Sequence, residues 1–99
     1  NAIKKYSAMR FCIVVNPHSG KNKSFKIFKT IEPLLKTKKI QFKLLQTDYK
    51  GHAIDMANQL DINEYNGIIM IGGDGTFHEI VSGLMMRKDN QKIPIGIIF

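Results

Sequence analysis

Four apolar runs alternate with three amphipathic segments along the 99 residues, and this order constrains the fold more than any other feature. The runs at 10–16 and 67–72 are apolar at nearly every position, which is typical of strands buried on both faces. The run at 40–47 partly alternates, as an edge strand does, and a fourth run covers 93–99. Because strands separated by helices pair in parallel, we predict an α/β fold: an open, mostly parallel sheet of four strands with helices on both faces.

Apolar residues spaced three and four apart predict the helices between these strands. The first helix covers 24–39 with lysines opposite its apolar face, and Pro33 is expected to kink or divide it because proline lacks a backbone donor. The second covers 51–60, and the third begins at Thr76. A last strand that is apolar throughout should have a neighbour on each side, so we expect the chain to be a fragment of a longer protein.

Two loops rich in small residues directly follow buried strands: "NPHSGK" at 16–21 and "GGDGT" at 72–76. In open parallel sheets, ligands bind beyond the carboxyl ends of the strands, where the strand order reverses. If the order is 2-1-3-4, the first and third strands are neighbours at that point. We therefore predict that both loops face one crevice.

The second loop suits a phosphate group through its backbone alone. Gly72, Gly73 and Gly75 allow positive φ angles and close approach, and a helix beginning at Thr76 offers unpaired N–H groups to an anion. The alternative is a tight turn closed by a capping box, in which the side chains of Thr76 and Glu79 satisfy the first backbone donors of the helix.

The first loop is not a P-loop, because Val15 stands where that motif needs glycine and Asn22 where it needs Ser or Thr. Three of its residues, Asn16, Ser19 and Lys21, remain as polar groups that could reach phosphates or ribose.

Asp74 lies between two glycines of a loop that otherwise suits an anion. Two unit charges about 4 Å apart interact by roughly 4 kcal/mol at an effective dielectric constant of about 20, so an uncompensated carboxylate would exclude a triphosphate. The residue becomes useful if Mg²⁺ lies between the two groups, directly or through water, or if the carboxylate takes a proton from an attacking hydroxyl. The alternative is a carboxylate held by N–H groups of the turn.

The formal charge is +7, and eight lysines fall between residues 21 and 43, opposed there only by Glu32. Such a field favours phosphates or an anionic lipid surface, and the alternative is a solvated helix face. No aromatic pattern accompanies the lysines, so nucleic acid is not expected as a partner. Since the first residues lack the apolar core of a secretory signal, we expect a cytoplasmic protein in peripheral contact with anionic membrane.

The single cysteine and the three histidines are not predicted to form a metal site. Cys12 lies inside an apolar run and is expected to be a buried, reduced thiol. His18, His52 and His78 lack the spacing of zinc ligands, and His18 and His78 are expected to line the crevice or face solvent.

Together, the segments "VVNPHSGK", "TDYKGHA", "IMIGGDGTFHEIVSGLM" and "IPIGII" resemble the diacylglycerol kinase catalytic domain family, over residues 11–98. The "GHA" and "HE" positions look most like the sphingosine and ceramide kinase branch. The resemblance implies a Rossmann-like N-terminal domain, similar to that of NAD kinases and diacylglycerol kinases, in an ATP-dependent lipid kinase that uses Mg²⁺. It implies a first nucleotide loop made of Asn16, Pro17, His18, Ser19, Gly20 and Lys21.

The same resemblance assigns roles to the other loops. Thr47 would contact the nucleotide, and Glu79 would face it. The phosphate and substrate loop would be formed by Gly73, Asp74, Gly75 and Thr76. The aspartate matching Asp74 is the catalytic base in sphingosine-kinase-like members and lies near the metal in bacterial relatives, so both roles stay open.

The resemblance also implies a division of labour between two domains. Residues 1–99 would be the ATP-binding N-terminal part of the catalytic domain, and the second, β-rich domain that holds the lipid would be absent from this chain. The acceptor would be a hydroxyl of a sphingoid base, ceramide or diacylglycerol, and the fragment alone would be weakly active or inactive. The alternatives are an NAD kinase-like enzyme and a catalytically silent module that binds nucleotide or membrane.

Overall fold

The computed structural model describes residues 9–18 and 20–98, and it has the predicted alternation of strands and helices. The elements are β1 (Arg10–Val15), α1 (Lys23–Thr37), β2 (Gln41–Gln46), α2 (His52–Gln59), β3 (Gly67–Ile71), α3 (Asp74–Met85) and β4 (Ile95–Ile98). Two short 3₁₀ turns, Gly20–Asn22 and Ile62–Glu64, lie between them. In this described part of the chain, no helix has the length and apolar character needed to cross a bilayer.

The four strands form one sheet in the order β2-β1-β3-β4, and every pair is parallel. This confirms the predicted fold class, the predicted strand order and the edge position of β2. β4 lies at the opposite edge, where it pairs with β3. The second neighbour expected for β4 is not found among the described residues.

Helices cover both faces of the sheet, as predicted. On one face, α1 packs its buried Phe28 against side chains of β1 and β3, namely Ile13, Val15 and Ile71. On the other face, α2 and α3 cover the remaining inward positions of the same strands, with a core made of Cys12, Val14, Ile68, Met70, Ala53, Ala57 and Ile80. The alternation of side chains along β1 therefore supplies both cores.

Cys12 is a free thiol that is fully buried under α2 and α3, which confirms the predicted burial. Its removal from water raises the pKa of the thiol to about 11, because the thiolate would be desolvated. The group therefore stays protonated near neutral pH.

Helix α1 runs without interruption through Pro33, so the prediction that this proline would divide the helix is wrong. Pro33 and Lys29, whose carbonyl loses its usual partner, both lie on the exposed side of the helix, where water can satisfy that carbonyl. The Pro33 carbonyl accepts a hydrogen bond from Thr37 Oγ1 at 2.9 Å.

Gly83 allows α2 and α3 to pack in close contact. A Cβ atom at this position would collide with the Ile54 carbonyl oxygen and would lie 2.9 Å from Ala57 Cβ. The neighbouring Asn58 Nδ2 donates to the Gly83 carbonyl at 3.3 Å. The backbones of the two helices therefore touch at a point where only glycine fits.

We predict that Gly83→Ala lowers the free energy of unfolding by about 2 kcal/mol, since the added methyl group overpacks the contact between the helices. Gly75→Ala is the matched control in the same helix, because no atom lies within 4 Å of a Cβ there. Alanine favours helix over glycine, so this control should leave the stability unchanged or raise it. Urea denaturation of both variants measures the difference, and equal stabilities would contradict the packing argument.

Candidate functional site

Three chain segments leave the sheet side by side at its carboxyl edge. Val15 at the end of β1 is in register with Gln46 of β2 and with Ile71 of β3. The residues that follow all three strands therefore start at one edge. Thr47 continues the pairing for one residue, because its N–H donates to the Val15 carbonyl at 3.0 Å.

These segments surround a cavity of about 330 Å³. Its wall is formed by Asn16, His18, Thr47, Asp48, Tyr49, Lys50, Thr76 and Glu79. The prediction that the loop after β1 and the loop after β3 face one crevice is confirmed. Five of the predicted site residues contribute to the wall, namely Asn16, His18, Thr47, Thr76 and Glu79.

Sequence reasoning missed the part of the wall formed by residues 48–50. Asp48, Tyr49 and Lys50 follow Thr47 directly and turn the chain from β2 into α2. The signal was available, because a residue just beyond the end of a parallel strand lies at the ligand-binding edge whatever its type.

The loop after β1 is held by its own side chain. Asn16 Oδ1 accepts a hydrogen bond from the His18 backbone N–H at 3.0 Å, which forms an Asx turn. Pro17 and the exposed Lys21 are not part of the described cavity wall. Gly20 and Lys21 lie in the 3₁₀ turn that leads into α1, and Ser19 lies outside the described residues.

The glycines after β3 differ in what they contribute. Gly72 has a φ of 147°, which favours glycine, and a Cβ there would lie 3.2 Å from Ser24 Oγ at the start of α1. Gly73 has a φ of −98°, and Gly75 lies within α3, so the expected positive φ is found only at Gly72 of the three. No atom lies within 4 Å of a Cβ on Gly73 or Gly75, which leaves open space above their backbone.

Helix α3 begins at Asp74, two residues earlier than predicted. Thr76 is therefore inside the first turn, where it cannot act as the N-cap, and Glu79 accepts a hydrogen bond from the Gly51 N–H at 3.1 Å. The capping-box alternative is wrong for this reason. The Phe77 N–H bonds to the Gly73 carbonyl at 3.4 Å, so the backbone amides of residues 74–76 precede the first bond of the helix.

Asp74 is the exposed first residue of this helix and lies two residues from Thr76 in the cavity wall. Its own side chain is not part of that wall. Asp74 thus begins the helix whose first three amides lack helical partners, and it lies between the two glycines, Gly73 and Gly75.

The histidines lie where the sequence suggested. His18 is exposed and contributes to the cavity wall, and His78 faces solvent on α3. Within residues 9–18 and 20–98, no cluster of three or more His, Cys, Asp or Glu side chains could hold a metal ion.

Comparison with known proteins finds lipid kinases as relatives of this chain. Residues 10–98 match the family described as the diacylglycerol kinase catalytic domain. Sphingoid long-chain bases kinase 1 of Arabidopsis thaliana is 39% identical over 97 residues, which cover 93% of this chain and 13% of that protein. Sphingosine kinase 1 of Homo sapiens is 33% identical over 81 residues, which cover 81% of this chain and 21% of that protein.

A solved structure shares both the fold and part of the sequence. A putative diacylglycerol kinase from Bacillus anthracis superposes with a TM-score of 0.73 and is 26% identical. The match covers 90% of this chain and 31% of that chain. This chain therefore spans less than a third of the length of each of these three relatives.

The hydrogen bond from Gly51 to Glu79 predicts a measurable coupling between the turn after β2 and helix α3. Glu79→Leu removes the acceptor, so we expect the Gly51 amide to exchange with solvent at least tenfold faster, in line with the ~1.4 kcal/mol that such a bond contributes. Glu79→Gln keeps a carbonyl oxygen at this position and should retain most of the protection. Amide hydrogen exchange measured by NMR tests this, and unchanged protection in Glu79→Leu would show that the bond does not hold the turn.

Proposed function

Because the chain belongs to the diacylglycerol kinase catalytic domain family, we propose that it is the ATP-binding part of a lipid kinase. The enzyme would transfer the γ-phosphoryl group of ATP to a hydroxyl group of a lipid. The observation that carries this proposal is the cavity at the carboxyl edge, whose wall combines residues that follow β1, β2 and β3. Phosphoryl transfer depends mainly on positioning and charge neutralisation, and a cavity at the ends of three adjacent strands can position a nucleotide.

The phosphates fit best at the start of α3. The backbone N–H groups of residues 74–76 have no hydrogen-bond acceptor within the helix, and the positive end of the helix dipole lies there. The space above Gly73 and Gly75 would be filled by any larger side chain. Lys21 lies in the turn after β1, from which its long side chain could reach the same phosphates.

Mg²⁺ fits the oxygen donors at this position. Magnesium is commonly held by one or two carboxylates together with substrate phosphates and water, so a dedicated cluster of protein ligands is not needed. Asp74 is the carboxylate next to the proposed phosphate position. When bound, Mg²⁺ would neutralise charge on the transferring phosphoryl group, and Asp74 would hold the ion, directly or through water, or accept the proton of the lipid hydroxyl.

The lipid acceptor is proposed from the relatives. The plant relative is named for sphingoid long-chain bases and the human relative for sphingosine, so a sphingoid base is our first candidate, ahead of ceramide and diacylglycerol. The relatives are much longer than this chain. We propose that a second, β-rich domain outside residues 1–99 holds the lipid and that these residues alone are weakly active or inactive.

The alternatives receive less support. An NAD kinase-like enzyme is not favoured, since the relatives found are sphingoid and diacylglycerol kinases. A silent module is not favoured either, because Asn16, His18, Thr76 and Glu79 line one cavity and Asp74 begins the helix that carries two of them.

We also retain the proposal of a cytoplasmic protein in peripheral contact with anionic membrane. The support is the exposed lysines of α1 and the turn that follows, namely Lys23, Lys26, Lys29, Lys36, Lys38 and Lys39. Glu32 forms ion pairs with Lys29 at 3.3 Å and Lys36 at 3.8 Å, which reduces but does not cancel this charge. Liposome binding that persists after neutralising Lys36, Lys38 and Lys39 would count against it.

We predict that Asp74→Asn lowers phosphoryl transfer to a sphingoid base at least about 100-fold in the intact protein that contains this chain, whichever role the carboxylate has. Asp61→Asn is the matched control, because Asp61 is an exposed acid just before the Ile62–Glu64 turn, and its activity should equal that of the wild type. Transfer of radiolabel from ATP to a panel of sphingoid base, ceramide and diacylglycerol provides the measurement.

Calorimetric titration of ATP with and without Mg²⁺ then separates the two roles. If Asp74 holds the ion, the gain in ATP affinity on adding Mg²⁺ should be reduced in Asp74→Asn. If it acts as the base, ATP binding should be unchanged while transfer is lost. Full activity of Asp74→Asn would overturn its assignment.

A further inference from the structure

Tyr49 is an aromatic residue of the cavity wall to which the family resemblance assigns no role. Its side chain is large, yet the residue is 55% exposed. Aromatic side chains usually bury their rings, because each ring carries a large apolar area. An exposed ring in a polar cavity is therefore a candidate contact for a ligand if the protein holds the ring in place.

Two contacts hold Tyr49 in place. Its ring stacks on the imidazole of His52, with a centroid distance of 4.3 Å and an interplanar angle of 11°. Its hydroxyl donates a hydrogen bond to Asp55 Oδ2 at 3.0 Å, and this bond raises the pKa of the Tyr49 phenol above its ordinary value. The ring is thus fixed at both its face and its end, and the phenol stays neutral.

His52 is fixed in turn by the backbone. Its Nδ1 accepts a hydrogen bond from the Asp48 N–H at 2.9 Å, so Nδ1 carries no proton in this arrangement. The 4.0 Å separation between the same Nδ1 and the Asp48 carboxylate is therefore not an ion pair. The Gly51 N–H is held by Glu79 at the same time, so the turn that carries Tyr49 is anchored from two sides.

The two stacked rings differ in their relation to the cavity. Tyr49 belongs to the cavity wall, whereas His52 does not. One face of the Tyr49 ring is covered by His52, which leaves the opposite face for a planar ligand. The stacked imidazole of His52 supports the Tyr49 ring in this position.

Charge sets the direction in which a nucleotide would lie. Asp48 and Glu79 place two carboxylates in this part of the cavity wall, and Lys50 beside them offsets only one of the two charges, so the net negative charge disfavours phosphates here. The carboxylates can instead accept hydrogen bonds from ribose hydroxyls and from the amino group of a base, and the Thr47 hydroxyl can accept or donate one. The phosphates would lie at the amides that begin α3, so the base would lie beside residues 47–50.

We propose that Tyr49 stacks against the adenine base of ATP through the ring face opposite His52. This inference rests on the proposed function. It places the adenine base beside Tyr49 and makes that side chain a contributor to nucleotide affinity. Stacking of a base on an aromatic side chain commonly changes binding by about tenfold or more when the ring is removed.

The test compares a ligand that has a base with one that lacks it. ATP and inorganic tripolyphosphate are titrated by calorimetry into the wild-type chain, Tyr49→Ala and Tyr49→Phe. We expect Tyr49→Ala to weaken ATP binding about tenfold and to leave tripolyphosphate binding unchanged. Tyr49→Phe keeps the ring and should bind ATP within about threefold of the wild type.

The outcomes separate this inference from the function on which it rests. If the wild type binds ATP and Tyr49→Ala binds it equally well, the stacking proposal is overturned and the proposed function stands. If Tyr49→Ala weakens ATP and tripolyphosphate by the same factor, the residue acts on the turn as a whole and stacking is again overturned. If the wild-type chain binds neither ligand, both proposals fail. NMR spectra of each variant verify that the fold is intact.

Discussion

The pairing of β1 with β3 is the constraint on which the rest of the site depends. These strands are parallel and in register from Phe11 with Gly67 to Val15 with Ile71, so two loops distant in sequence start next to each other. β2 pairs on the other side of β1, and it brings Thr47 and the turn after it to the same edge. A different strand order would separate the loops that follow β1, β2 and β3, because each loop is short and begins at a strand end.

The wall of the cavity is tied to the core through α2 and α3. These helices touch at Gly83, and Glu79 of α3 binds the Gly51 amide just before α2.

At the carboxyl end of α2, Arg87 Nη1 donates to the carbonyls of Ala57, Asn58 and Leu60 at 2.8 to 2.9 Å. A bidentate contact with Asp89 orients the same guanidinium. The position of Tyr49 thus follows from packing that begins far from the cavity.

Sequence patterns predicted the parallel sheet, because burial on both faces and helical spacing leave clear signals. The strand order 2-1-3-4 was a hypothesis, and the shared crevice followed from it. They did not predict the start of α3 at Asp74, since Gly73 is an N-cap without a side chain and gives no capping signal. The continuous helix through Pro33 was missed because the exposure of a proline within a helix is decided by tertiary packing. The contacts of Glu79 with Gly51 and of Tyr49 with His52 join different elements or depend on the shape of one turn, which periodicity does not record.

The central claim is that three loops of this chain form one nucleotide site, and the most direct test is an NMR titration of the ¹⁵N-labelled chain with ATP and Mg²⁺. The account predicts amide shifts in Asn16, His18 and residues 47–51 and 73–79, with little change at the amino end of the strands in residues 61–66. Shifts confined to the lysine-rich face of α1, or absent from residues 47–51, would contradict it. The first result would mean that ATP binds through charge alone, and the second that the turn after β2 is not part of the site.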